Sequence, residues 1–262
     1  MLEHSIISRR EFAGGLAVGA ITSWALAAPT ERIPILAYHR FDPRRAASTT
    51  VSTGTLELQL CALIAAGFEL STLHQTVSAL RSGTVMRQAS ITVDDGHGSV
   101  YTQLFPIVRR MGFPVTLFIY PSIISNDPDA LTWGQLREMR GSGLVDVQSH
   151  TYWHPNFKIE RRIRTPAAYA AFVDDQLTRS RRVLETRLET RVDMLAWPFG
   201  IADRQLELAA QRAGYAAALT YAGGPAKSGD DAFALPRIPI AEGDRGRAFA
   251  RKIGFALPEE KR

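Results

Sequence analysis

The chain has 262 residues, 45% of them hydrophobic, a formal net charge of +5 and one cysteine. That is enough apolar material for one barrel-sized domain or two small ones, and a single cysteine excludes a disulfide framework within the chain. The positive excess comes from arginines interleaved with glutamate, as in "TRSRRVLETRLETR" (178–191); such runs are solvated helix faces, and without interleaved aromatics they do not point to nucleic acid.

Taken in chain order, residues 1–27 read as an export signal. The stretch "SRREFAGGLAVGAITSWALAAP" (8–29) has an arginine pair, an uncharged apolar run too short for a comfortable membrane span, and small residues at Ala25 and Ala27. The "SRREF" start resembles a twin-arginine signal, which implies export of a folded protein to the periplasm or beyond, with no stable membrane insertion once the signal is removed. An uncleaved anchor is the alternative. Cleavage would remove His4 and leave the charge unchanged, because two Arg and two Glu depart together.

From there short apolar runs alternate with helical patterns. Strands are expected at 33–39, 90–95, 114–120, 144–150, 192–198 and 215–221, with "LPRIPI" (235–240) as a last one. Amphipathic helices are expected at 55–66, 72–82, 99–112, 132–141, 167–189 and 203–213, with Gly67, Gly83, Gly112, Gly141 and Gly214 at their C-caps. Cys61, among apolar neighbours in the first helix, reads as a core residue. Repeated strand–helix alternation predicts an α/β fold with a parallel sheet, barrel or doubly wound, forming one domain over residues 28–262.

The polar residues then fall on one face. His39, the pair Asp94–Asp95, His150 and Pro198–Phe199–Gly200 all end predicted strands, and in a parallel barrel those ends form the face where active sites are built. Two adjacent carboxylates closing an apolar strand are costly unless a metal or a catalytic task compensates; a solvated Asx turn is the bland alternative. "QSHTYWHPNF" (148–157) adds His150 and His154, four residues apart. Together they make a plausible two-histidine, one-carboxylate site with open coordination positions, which suits Zn2+, with Fe, Co or Ni as alternatives. One aspartate would bind the ion while its neighbour accepts a proton from water.

"TVDDG", "SHTYWHP" and "WPFG", in that order, resemble the NodB-type polysaccharide deacetylases, and the likeness runs from "ILAYHRF" to about residue 240. The resemblance implies a distorted (β/α) barrel of about seven strands and metal-dependent hydrolysis of N-acetyl groups on sugars, a carbon–nitrogen bond outside peptides. Carried over by position, it makes Asp94 the base and Asp95, His150 and His154 the metal ligands. Pro198, Phe199 and Gly200 would line the acetyl pocket, a backbone N–H near Phe199 helping to hold the oxyanion.

Two departures stand out. Many members have Arg before the Pro of "WPFG", where it orients the base; this chain has Trp197. Many also supply a late histidine as general acid, and none follows His154. Of the remaining histidines, His74 reads as a surface or cap residue and His97 as a turn residue, while His39 ends the first strand on the catalytic face; the resemblance to the branch with an early "YH" implies that His39 is the acid, a hydrogen-bonded core histidine being the alternative. The early "YH" and the Trp-Pro variant resemble the poly-N-acetylglucosamine deacetylase branch. Trp153, Trp197 and Tyr38 are candidate sugar contacts, with Tyr120 beside them and Trp133 reading more as core. The expected partner is a carbohydrate polymer, with no nucleic acid. Rival readings are an acetyl-ester or small-amide hydrolase on the same fold, and a non-catalytic carbohydrate-binding module.

Overall fold

The computed structural model describes residues 32–42, 48–84 and 86–256. The predicted export signal (1–27) lies outside the described residues.

Seven parallel strands form the framework: β1 (Ile35–Tyr38), β2 (Gln88–Asp95), β3 (Val115–Ile119), β4 (Val145–Ser149), β5 (Met194–Ala196), β6 (Ala217–Leu219) and β7 (Ile238–Pro239). Their order across the sheet is β6-β5-β4-β3-β2-β1-β7. The sheet curls, and residues 235–239 join its two edges: Ile238–Pro239 pair with β1, while Leu235 bridges to Leu219 on β6. Glu69–Leu70 add to the start of β2, and two short pairs, Arg32–Ile33 with Ala226–Lys227 and Arg40–Phe41 with Thr50–Val51, lie outside the main sheet.

Around it run α1 (Thr53–Ala65), α2 (Leu73–Ser82), α3 (Phe105–Met111), α4 (Trp133–Gly141), α5 (Phe157–Ile163), α6 (Pro166–Leu188), α7 (Arg204–Arg212) and α8 (Gly246–Ile253). Their starts are chemically encoded. Thr72 with Gln75 and Thr132 with Gln135 form capping boxes, and Ser52, Asn156, Thr165 and Asp203 cap their helices with side-chain oxygens. The six predicted helices are present. The one expected over 99–112 opens with a π-helical turn at Val100–Leu104, and α5 and α8 are additions. The left-handed residue after α4 is Gly143, not Gly141, which is still helical. Cys61 is exposed, on the solvent face of α1 rather than in the core. Among the described residues no helix is both long and apolar enough to cross a membrane.

The two-residue period of the strands sorts the core into two layers. Leu36, Tyr38, Ile91, Val93, Leu117, Val147, Leu195 and Trp197 face outward to the helices. Ile35, Phe118, Met194, Ala196, Ala217, Leu219 and Leu235 form a second cluster inside the curl, closed at the N-terminal end of the strands by Leu73, Val77 and Leu80 of α2. On β2 and β4 the inward positions are polar: Thr92 and Asp94, then Asp146 and Gln148, with His150 one step further along. The site is assembled inside the upper barrel because these residues share parity.

Candidate active site

Asp94 is fully buried, and the charge that answers it is Arg237. The guanidinium donates from Nη1 to Oδ1 and from Nη2 to Oδ2, both at 2.7 Å. Nη1 also reaches Thr92 Oγ1 at 3.1 Å, and Nε donates to the Thr220 carbonyl at 3.3 Å. Burial pushes the Asp94 carboxyl up, but Arg237, His150 and His39 outweigh it and hold the group far below the ordinary carboxylate range. Arg237 sits in the barrel-closing segment "LPRIPI", and it rather than Trp197 is the residue that holds the Asp94 carboxylate in place. It went unassigned in the sequence, although a lone arginine within an otherwise apolar strand required a buried partner.

Asp95 ends β2 with a left-handed backbone (φ 75°), and both carboxylates come to one histidine: His150 Nε2 lies 3.6 Å from Asp95 Oδ1 and 3.9 Å from Asp94 Oδ2. Gly96 follows at φ 90°, where an added Cβ would lie 3.0 Å from the Ile119 side chain. Two more left-handed non-glycine residues, Thr151 (φ 64°) and His154 (φ 63°), shape the turn after β4. Such backbones persist only where their surroundings hold them, and here they bring three donors together. Asp95 Oδ1 lies 3.6 Å from His150 Nε2 and 3.7 Å from His154 Nε2, and the three donor atoms fall within 4.8 Å of one another.

These donors suit a divalent cation. A tetrahedral ion with bonds of about 2.1 Å has ligand–ligand edges of about 3.4 Å. His150 Nδ1 donates to the Ala196 carbonyl at 2.7 Å, so its Nε2 lone pair faces Asp95. Burial, with His150 beside it, pushes His154 down to about 4, so at neutral pH its imidazole is uncharged and able to ligate.

His39 and Tyr221 complete the rim. The Tyr221 hydroxyl lies 2.8 Å from His39 Nε2 and 3.1 Å from Nδ1. Burial lowers the His39 pKa, opposed by Asp94 and Asp95. Tyr221 also stacks on Arg237, whose guanidinium carbon is 5.1 Å from its ring centre. Its backbone presses on Gly200, where a Cβ would meet Tyr221 atoms at 2.6–2.7 Å; only glycine fits there, at φ 67°. Tyr221 thus links the first strand, the clamp and the Pro198–Gly200 loop, and carried no motif in the sequence.

The aromatic predictions divide. Phe199 is 60% exposed, its ring 4.7 Å from His154, and Trp153 is 41% exposed on the same rim. Tyr120 stands 5.4 Å from the His154 ring, and burial, with Asp95 nearby, pushes its hydroxyl up to about 12. Tyr38 and Trp197 are corrections to the predicted sugar contacts. Both have outward parity and no exposed surface: Tyr38 donates to Gln59 of α1 at 2.8 Å, and Trp197 donates through Nε1 to the Phe233 carbonyl at 3.0 Å. Adjacent strand residues face opposite ways, so Tyr38 could not share the site with His39. Pro198 is buried beneath the loop, and Trp133 is partly buried against the core. His74 lies at the opposite end of the barrel, paired with Asp193 at 2.9 Å and near Asp146 at 3.6 Å.

Comparison with known proteins adds the following. The polysaccharide deacetylase family profile matches residues 82–218. The Escherichia coli K12 poly-beta-1,6-N-acetyl-D-glucosamine N-deacetylase is 25% identical over 240 residues; the match covers 78% of this chain but 35% of that protein. Among solved structures, the Streptococcus pyogenes deacetylase PplD in complex with acetate superposes with a TM-score of 0.75 at 20% identity, covering 86% of this chain and 99% of its own. IcaB from Ammonifex degensii gives a TM-score of 0.73 at 21% identity, over 84% and 96%. The barrel is therefore the NodB-type fold.

Proposed function

The chain belongs to the polysaccharide deacetylase family, and on that premise we propose that it is an exported, metal-dependent hydrolase removing N-acetyl groups from a polymer of N-acetylglucosamine type. One observation carries the reading: a buried, clamped carboxylate adjoins a two-histidine, one-carboxylate donor set, with an imidazole on the same rim. The twin-arginine-like start supports export to the periplasm or beyond.

Asp95, His150 and His154 would hold the cation, zinc being the best match to the donors. A bound ion of this kind supplies Lewis acidity, polarising the acetyl carbonyl and lowering the pKa of water to roughly 7. Asp94 accepts the proton of the attacking water. The Arg237 clamp keeps Asp94 ionised and aimed, at the cost of basicity. His39 gives a proton to the departing amine nitrogen, held in place by Tyr221. In the Pro198–Gly200 loop the Gly200 N–H is taken by the Trp197 carbonyl at 2.9 Å, so the Phe199 N–H is the donor left for the developing oxyanion. Phe199 and Trp153 offer exposed rings to the pyranose face.

The test is acetate release from β-1,6-linked N-acetylglucosamine oligomers by metal-loaded and chelator-stripped protein, with Asp94→Asn as control. Release that needs both metal and Asp94 is the expected result. Silence of metal-loaded protein on these oligomers, alongside activity on acetyl esters, would replace the amide reading with an esterase.

A further inference from the structure

The buried stripe of α6, Val173, Leu177, Leu184 and Leu188 among others, is interrupted by two polar residues, Gln176 and Ser180, both buried. A buried amide or hydroxyl costs stability unless it is hydrogen-bonded, so each of these positions needs a partner. Their partners lie in the turn that carries His150 and His154. Gln176 Oε1 accepts the Trp153 N–H at 3.2 Å. Ser180 Oγ lies 2.8 Å from Ser149 Oγ, which in turn accepts the Thr151 N–H at 3.2 Å. Ser149 shares the outward parity of Val145 and Val147, and that is why its hydroxyl meets α6 while His150 enters the barrel.

Two ring contacts complete the match. Phe172 stands 5.9 Å from the Trp153 ring, and the Arg179 guanidinium carbon lies 3.8 Å over the ring of Tyr152. Phe172, Gln176, Arg179 and Ser180 are spaced i, i+4, i+7 and i+8, so they share one face of the helix. Along that face they meet Trp153, Tyr152 and Ser149 in reverse chain order, an antiparallel fit of helix to turn. We propose that this face of α6 sets the turn for the cation, with Gln176 and Ser180 as positioning residues of the metal site. The proposal rests on the metal-binding reading of Asp95, His150 and His154 and extends it to a helix that supplies no ligand.

The turn has reason to need such support. Thr151 is β-branched and left-handed at φ 64°, and His154 is left-handed at φ 63°; neither conformation is one these residues favour by themselves. His150 is anchored separately, through Nδ1 to the Ala196 carbonyl. His154 depends on the turn to keep its Nε2 3.7 Å from Asp95 Oδ1. Apparent affinity falls with the fraction of molecules whose site is already formed, so contacts that hold the turn act on metal binding without touching the ion.

The experiment measures the zinc dissociation constant of the full chain by competition with a chromophoric chelator, beside the Tm of the metal-free protein. Gln176→Leu keeps the bulk and removes the acceptor; it should weaken zinc binding by about two- to twelvefold, the size of one hydrogen bond. Gln176→Glu returns an acceptor oxygen and should bring the constant back toward the wild-type value. Ser180→Ala should weaken binding by a similar factor, and it keeps the test open if Gln176→Leu folds poorly. Leu184→Ala, one turn further along the same buried stripe, should lower the metal-free Tm and leave the constant unchanged. Zinc binding by the wild type with an unchanged constant in Gln176→Leu and Ser180→Ala, or an equal weakening in Leu184→Ala, would overturn the positioning role alone. Wild-type protein that binds no zinc would overturn the metal reading and the positioning role with it.

Discussion

Arg237 meets Asp94 fork to fork, two nitrogens each 2.7 Å from an oxygen, with neither side chain exposed to solvent. Removing one partner strands a buried charge, so Arg237→Met should destabilise the fold by about 3–5 kcal/mol. Arg237→Lys keeps the charge but not the fork, and should be intermediate in stability while activity falls sharply. The double variant Arg237→Met, Asp94→Asn should be more stable than Arg237→Met alone. Denaturant titration of the three proteins checks this ordering, and a double variant no better than the single would refute the pairing as the cause.

The Tyr221 hydroxyl has the His39 ring as its partner. Tyr221→Phe removes one part-buried hydrogen bond, about 0.5–1.5 kcal/mol, or roughly two- to twelvefold in rate if it holds the acid in place. Amide hydrolysis should lose more than acetyl-ester hydrolysis, because the amine leaving group depends on the proton and the alkoxide depends on it less. Equal losses on both substrates would count against His39 as the acid.

Metal binding can be read without turnover. Zinc at a hundredfold excess over its dissociation constant should stabilise the protein by about 2.7 kcal/mol, seen as a rise in Tm. Asp95→Asn, His150→Ala and His154→Ala should each reduce or abolish the rise, whereas His74→Gln, at the far end of the barrel, should keep it.

That far-end pair has its own pH signature. The hydrogen bond to Asp193 raises the His74 pKa against the effect of burial, and the same bond lowers that of Asp193. The histidine contribution is complete below the unfolded value of about 6.5 and is lost as pH rises through the higher folded value. The aspartate contribution is complete above about 3.9 and is lost as pH falls through the lower folded value. The stability gap between wild type and His74→Gln should therefore be widest between about pH 4 and 6.5 and narrow on either side. Burial raises Asp146 in both proteins and so cancels in the gap, whereas His74, 3.6 Å away, lowers it, so ionised Asp146 adds to the gap while His74 is protonated. A flat gap across chemical denaturation from pH 4 to 9 would show that the pairing does not contribute.

Two tryptophans separate core from rim. Trp197→Ala should cost about 3–5 kcal/mol, as for a buried aromatic. Trp153→Ala should leave stability within about 0.5 kcal/mol and raise KM for oligomers. Thermal unfolding and steady-state kinetics on both proteins measure the contrast.

The sequence by itself determined the alternation of strands and helices, and hence a parallel α/β sheet, with the choice of barrel over doubly wound sheet resting on the family resemblance. It also set the rim on which His39, Asp94, Asp95, His150 and Pro198–Gly200 meet, because local hydrophobic period and turn chemistry are properties of short windows. Strand parity also fixes side-chain direction, and it sets Tyr38 against Gln59 of α1, on the face opposite His39. Only the tertiary structure decided that Arg237, 143 residues from Asp94 in the chain, is its counter-charge, and that Tyr221 rests on His39. Both facts depend on how the sheet curls and which segment joins its edges.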